Sequence, residues 1–188
     1  ASYVFYGFWD WRFLSLILIS SLMDYILAMQ IHATQPEQKN KRKVLLVLSL
    51  VLNLGFLGFF KYYNFFVESF IATFTLFGKE FSYSPMHIIL PVGISFYTFQ
   101  SLSYTLDVYF KKMEPTRNLI NFLAFVSFFP QLVAGPIERA KKLLPQFDEV
   151  KQFDYQAARS GLLFILFGLF KKIMIADRLA VFINQTYG

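Results

Sequence analysis

Asp24, Asn53 and Asp107 stand inside long apolar runs of this 188-residue chain, and chemistry would be sought there first. Asp24 interrupts Phe13 to Ile31, Asn53 interrupts Val44 to Phe60, and Asp107 sits near the end of Met86 to Phe110. A carboxylate in such a run is costly, so it is either paired or functional. At 1.5 Å per residue Asp24 lies about 10 Å from the Ile31 end of its run, and Asn53 about 13 Å from the Val44 end of its own. Matching depths predict an interhelical hydrogen bond between them, with Gly55 and Gly58 allowing close approach; a proton or substrate role is the alternative. Lys61, about 25 Å up by the same count, is too far to pair with Asp24. Asp107 has Lys111 four residues on, the spacing of a helix-end ion pair. His87, just before Pro91, reads as structural, and His32, in a basic loop, is given no role. No Ser, His and Asp set, no His pair at i and i+4 and no carboxylate cluster emerges, and with no Cys there is no thiolate ligand or nucleophile.

The elements that must position these groups are membrane helices. The chain is 56% hydrophobic with 25 Phe and only 16% charged residues, against roughly 25% charged in soluble domains. Its net charge of +6 falls between the apolar runs, which marks cytoplasmic loops and lipid headgroups rather than nucleic acid as the partner. A bilayer core takes about 20 apolar residues in a helix. Phe13 to Ile31 is the first such span, preceded by a belt of Tyr3, Tyr6, Trp9 and Trp11. The segment His32 to Lys43, with Pro36, is a cytoplasmic loop. Val44 to Phe60 is the second span, continuing past Lys61. Glu68 to Pro85 reads as an extension or interfacial helix and an external loop. Met86 to Phe110 is the third span, kinked or unwound at Pro91 and Gly93.

Leu119 to Ile137 is uncharged and long enough to cross, yet both flanks are basic: Lys111, Lys112 and Arg117 before it, Arg139, Lys141 and Lys142 after. A simple crossing would put one basic flank outside. Pro130 removes a backbone donor, and Gly135 with Pro136 ends any helix. The segment is therefore expected to enter, break near Pro130 and return, which requires burial in protein or a wet cavity beside it. Leu143, Leu144, Phe147 and Val150 fit an amphipathic element on the membrane surface. Asp154 is an N-cap for a helix from Tyr155, cut by Lys171, Lys172, Asp177 and Arg178. In a regular helix Asp177 shares a face with neither lysine, so other segments, water or headgroups are their expected partners. The chain starts at Ala1 and stops at Gly188 after an apolar run, with no signal-peptide pattern at its start, and is expected to be a piece of a longer protein.

Leu90 to Phe110 (LPVGISFYTFQSLSYTLDVYF) and Phe125 to Phe147 (FVSFFPQLVAGPIERAKKLLPQF) resemble the membrane-bound O-acyltransferase family, in its bacterial alginate O-acetylation branch. Ala1 to Trp9, Asn53 to Asn64 and Gly168 to Leu179 extend the resemblance along nearly the whole chain. It implies an all-α polytopic membrane enzyme with a broken re-entrant helix and interfacial helices, of which residues 1–188 form the N-terminal part of one membrane-embedded domain. It implies transfer of an acetyl group to a hydroxyl of an extracytoplasmic polysaccharide by a His general base lying after Gly188; His87 matches a non-catalytic His of the branch, and His32 matches none. No bound cofactor is expected, and the acyl donor, an acetyl or acyl-carrier thioester, is left open. Phe128, Pro130, Gln131, Gly135 and Pro136 are the candidates for lining the passage in which donor and acceptor meet. Arg139, Lys141 and Lys142 are candidates for meeting an acyl carrier or anionic headgroups, with polysaccharide-modifying proteins expected on the outer side. D-alanyl or peptidoglycan acyl transfer, and a non-catalytic scaffold or transporter segment, are the alternatives; no second broken segment shows the internal symmetry a transporter would need.

Overall fold

A computed structural model of the chain describes residues 2–76, 88–132, 135, 138–150 and 152–187, all of whose regular elements are helical. They divide into two compact units, Ala1–Glu149 and Val150–Gly188. The first unit comprises α1 (Ser2–Asp10), a 3-10 turn (Trp11–Phe13), α2 (Leu14–Ala33), α3 (Lys39–Leu76), α4 (Ile94–Tyr109), α5 (Leu119–Val126), α6 (Phe129–Leu132) and α7 (Ala140–Asp148).

Helices α2, α3 and α4 pack on one another, and the more polar faces turn inward. On α2 the buried stripe includes Ser20, Ser21, Asp24 and Ala28, while Ile19, Leu22 and Ile26 are exposed. On α3 Ser49 and Asn53 are buried, and Val47, Leu48, Val51 and Leu54 are exposed. Helix α4 buries Thr98, Gln100, Ser101 and Thr105 and exposes Phe99. Water would reverse that arrangement; lipid favours it, because small and hydrogen-bonding residues let helices approach where apolar burial gives no drive. The stretches Ser2–Ala33 and Lys39–Thr75 are each long and apolar enough to cross a membrane. The described residues are those of an all-α membrane protein.

Several expectations shift. Most of the expected loop His32 to Lys43 is helical, since α2 runs to Ala33 and α3 begins at Lys39. Its basic residues therefore stand on the first turn of α3. That helix then continues unbroken to Leu76, so of the two readings of the segment after Glu68 the extension holds and the separate interfacial helix does not. Tyr6 does not belong to an aromatic belt: it is buried in the core, and its hydroxyl donates to the Val92 carbonyl at 2.9 Å. Helix α4 starts only at Ile94, because Gly93 at its N-cap holds φ +77° and unwinds what precedes it. Asp107 lies 4.0 Å from Lys112, not Lys111. Lys111 sits at φ +57° in the left-handed cap after α4, and the N–H of Lys112 folds back to the Asp107 carbonyl at 2.8 Å. This is the helix-ending geometry glycine usually supplies, here built on lysine. His87, with the remainder of 77–87, lies outside the described residues.

In the second unit α8 (Tyr155–Phe170) starts as expected, with Asp154 accepting from the N–H groups of Gln156 and Ala157. It passes through a π-helical turn (Lys171–Ala176) into α9 (Asp177–Tyr187). The expectation for its charges fails here. Lys172 Nζ meets Asp177 Oδ2 at 2.8 Å. The Asp177 N–H bonds the Lys172 carbonyl, an i to i+5 step that turns residues five apart to one face, where a regular helix would separate them.

Candidate functional site

Two constellations emerge from the packing: a broken helix lying along α4, and a polar knot where α2, α3 and α4 meet.

The break in the first falls at Ser127 and Phe128, just ahead of Pro130. The proline ring has no N–H for the Val126 carbonyl, so α5 stops, and Pro130 is tolerated as the second residue of α6. Side chains tie down the neighbouring carbonyls at the end of α5. Ser127 returns its N–H and its hydroxyl to Leu123, the latter at 2.8 Å, and Gln100 on α4 donates Nε2 to the Phe125 carbonyl at 2.6 Å. Leu132, ending α6, sits against Gly93, where any Cβ would overlap its carbonyl oxygen. The two Pro and Gly breaks of the chain thus meet each other.

The path is re-entrant relative to α4. It starts beside the C-terminal end of α4, where Tyr104 Oη accepts from the Thr116 N–H at 3.2 Å and Asn118 caps α5. It reaches the N-terminal end at Gly93 and Leu132. By α7 it has returned: Asn121 donates to Asp148 Oδ1 at 2.5 Å, and Ala140 and Lys141 share a hollow with Met113, Glu114 and Thr116. The three basic stretches consequently gather at one end of the bundle. Arg42 on α3 donates to the Tyr109 carbonyl at 2.7 Å, Tyr25 on α2 donates to the Arg117 carbonyl at 2.8 Å, and Lys141 lies near Glu114. A shared basic end matches the positive-inside reading of all three.

Of the passage candidates, Phe128 lines an apolar cavity of about 430 Å³ with Ser127, Phe129, Tyr3, Leu123 and Phe147. Its ring meets Phe147 of α7 at 5.8 Å. Gln131 is buried, and its Nε2 has no hydrogen-bond partner among the described residues. Gly135 packs against the Gln131 backbone, and Pro136 lies outside the described residues. Arg139 precedes α7 and is exposed, as are Lys141 and Lys142 on it. The amphipathic face expected to rest on lipid is partly turned into protein: Leu143 and Leu144 are buried, whereas Val150 falls beyond the helix and is 94% exposed.

The second constellation bears out the Asp24 and Asn53 pairing and enlarges it. Asn53 Nδ2 donates to Asp24 Oδ2 at 2.8 Å, Ser49 Oγ donates to Oδ1 at 2.5 Å, and Ser101 Oγ donates to Oδ2. All four residues are buried. The glycines play no part in this approach, since a Cβ at Gly55 or Gly58 meets nothing within 4 Å; Gly58 instead lines a groove on α3 with Phe59 and Phe66. Sequence reasoning missed Ser49 and Ser101. Ser49 could have been found as the residue one turn before Asn53, but Ser101 had no local signal. Gln100 was missed likewise, and its job exists only because α5 breaks beside it. Among the described residues no three His, Asp or Glu side chains converge as a metal site.

No family model matches the chain, and no solved structure matches it significantly. Curated proteins do. The chain is 41% identical over 187 residues to a probable alginate O-acetylase AlgI of Pseudomonas putida, covering all of this chain and 38% of that protein. A probable alginate O-acetylase AlgI of Azotobacter vinelandii is also 41% identical, with 37% of its length covered. A peptidoglycan O-acetyltransferase of Helicobacter pylori is 36% identical over 208 residues, covering 97% of this chain and 38% of that protein. The chain therefore spans a little over a third of the relatives it matches. Along its whole length it is a relative of the alginate O-acetylation branch of the membrane-bound O-acyltransferases.

Proposed function

We propose that the full-length protein to which this chain belongs is a membrane O-acyltransferase that moves acetyl groups onto hydroxyls of an extracytoplasmic polysaccharide, from a multi-pass position in the bacterial inner membrane. The observation that carries this reading is the 41% identity, over the whole chain, to proteins named alginate O-acetylases. The catalytic His is assigned to sequence outside these residues, so this chain supplies scaffold and part of the passage. In that passage the broken segment from Phe128 to Pro136 faces the reacting groups, and the unpaired Gln131 amide offers a hydrogen bond to donor or acceptor. Arg139, Lys141 and Lys142 meet the acyl donor or its carrier at the basic end of the bundle, and polysaccharide-modifying proteins act with it on the outer side. A general base of this kind is a His kept neutral by apolar surroundings, which accepts the proton of the attacking hydroxyl.

Peptidoglycan is the second acceptor, favoured by the Helicobacter pylori relative at 36% identity. Deleting the gene and measuring ester-linked acetate on each purified surface glycan tests both. Loss from an exported polysaccharide is expected; loss from peptidoglycan alone would transfer the assignment, and unchanged acetylation of every glycan would end it.

A further inference from the structure

The basic end of the bundle holds a polar hollow of about 510 Å³ between the end of α2, the first turn of α3 and the residues that follow α4. Arg42, Lys111 and Lys112 line it together with His32, against a single lining carboxylate, Glu114. Three permanent cations so placed repel one another unless an anion joins them.

Their presentation is built rather than incidental. Arg42 is held from one side: Nη2 bonds the Tyr109 carbonyl at 2.7 Å, and the guanidinium lies 5.4 Å from the Tyr109 ring centroid. Its Nε is buried and has no partner among the described residues, so a donor of an anchored planar cation remains unspent. Lys111 is fixed at φ +57° by the cap of α4, with its N–H bonded to the Val108 carbonyl at 3.1 Å, which sets the direction in which two consecutive lysines leave the helix. Lys112 has Asp107 only at 4.0 Å and is 59% exposed, so that pair leaves most of its charge available.

A fixed guanidinium and two ammonium groups around one space suit a ligand with several acceptor oxygens and more than one negative charge. We propose that this hollow binds a phosphate group, carried by a phospholipid headgroup or by a soluble phosphate compound. Its position among the basic stretches places it where anionic headgroups concentrate. The proposal is independent of the acyltransferase reading, because it concerns binding and not turnover.

The test uses the full-length protein in detergent. Binding of dioctanoyl phosphatidylglycerol, of dioctanoylglycerol, which lacks the phosphate, and of inorganic pyrophosphate is measured by thermophoresis. Saturable binding of at least one phosphate probe is expected, weakened about tenfold or more in Lys111→Asn with Lys112→Gln. Asparagine is chosen because it tolerates the left-handed cap. Arg12→Gln, exposed at the opposite end of α2, should change binding by less than about twofold. Retention of phosphatidylglycerol against excess pyrophosphate identifies a lipid headgroup, and binding or displacement by pyrophosphate identifies a soluble phosphate. If the double variant melts below the wild type, Lys112→Gln alone is used. Equal binding of dioctanoylglycerol, no saturable phosphate binding, or wild-type affinity in a folded variant overturns the proposal.

Discussion

Gly93 and Leu132, 39 positions apart in sequence, touch so closely that the glycine's missing side chain is the space occupied by the leucine carbonyl. The contact joins the unwound start of α4 to the far end of the broken helix, so one residue sets the position of both. Two costs converge on any substitution: φ of +77° disfavours a side chain, and the obstacle is backbone, which cannot swing aside.

Gly93→Ala should therefore lower the stability of the full-length protein by about 2 kcal/mol or more. Thermal unfolding in detergent measures this. A melting temperature equal to wild type would mean that the α4 to α6 contact is not maintained in the full protein.

The knot at Asp24 predicts a graded series. Asp24→Ala strands the donors of Ser49, Asn53 and Ser101 in a buried site, whereas Asp24→Asn keeps a carbonyl acceptor for part of the set. Asp24→Ala should be the more damaging, and a double-mutant cycle of Asp24 with Asn53 should return a coupling of about 1 kcal/mol, within the range for buried bonds between membrane helices. Equilibrium unfolding in bicelles gives both numbers. Zero coupling would deny the clamp.

Lys172 and Asp177 pair only through the π-helical turn. Because the side chains are 66% and 50% exposed, neutralising either should change stability by no more than about 0.5 kcal/mol. The informative result is geometric. A cysteine crosslink between positions 172 and 177 should form more readily than one between 160 and 165, the same spacing within α8; equal yields would show a regular helix at both.

Gln131→Ala should reduce O-acetylation more than it reduces protein abundance. Among the described residues the Nε2 group bonds nothing, so within them removing it breaks no hydrogen bond. Acetate release and immunoblotting on the same cells separate the two quantities, and parallel losses would mean that the residue serves folding.

The sequence was most informative wherever its signal was local. Asp154 before Tyr155 announced a helix start, and Pro91 with Gly93 announced an unwound one, because capping and φ restriction act within a few residues. The basic flanks of Leu119 to Ile137 announced a return to one side through charge bias alone. The charges of the last helix were misjudged because the inference assumed a constant 100° per residue, which a π-helical turn breaks.

By itself, then, the sequence determined the class: runs of apolar residues bounded by lysines and arginines can satisfy their backbones in lipid only as helices, and the basic ends fix which termini lie together. Tertiary structure alone decided the partners. That Asp24 takes Ser101 as well as Asn53, that Gln100 serves the Phe125 carbonyl at the end of α5, and that Lys111 and Lys112 face Arg42 across one hollow follow from which helix faces meet. Those faces meet through packing between segments distant in sequence, where no local spacing carries the information.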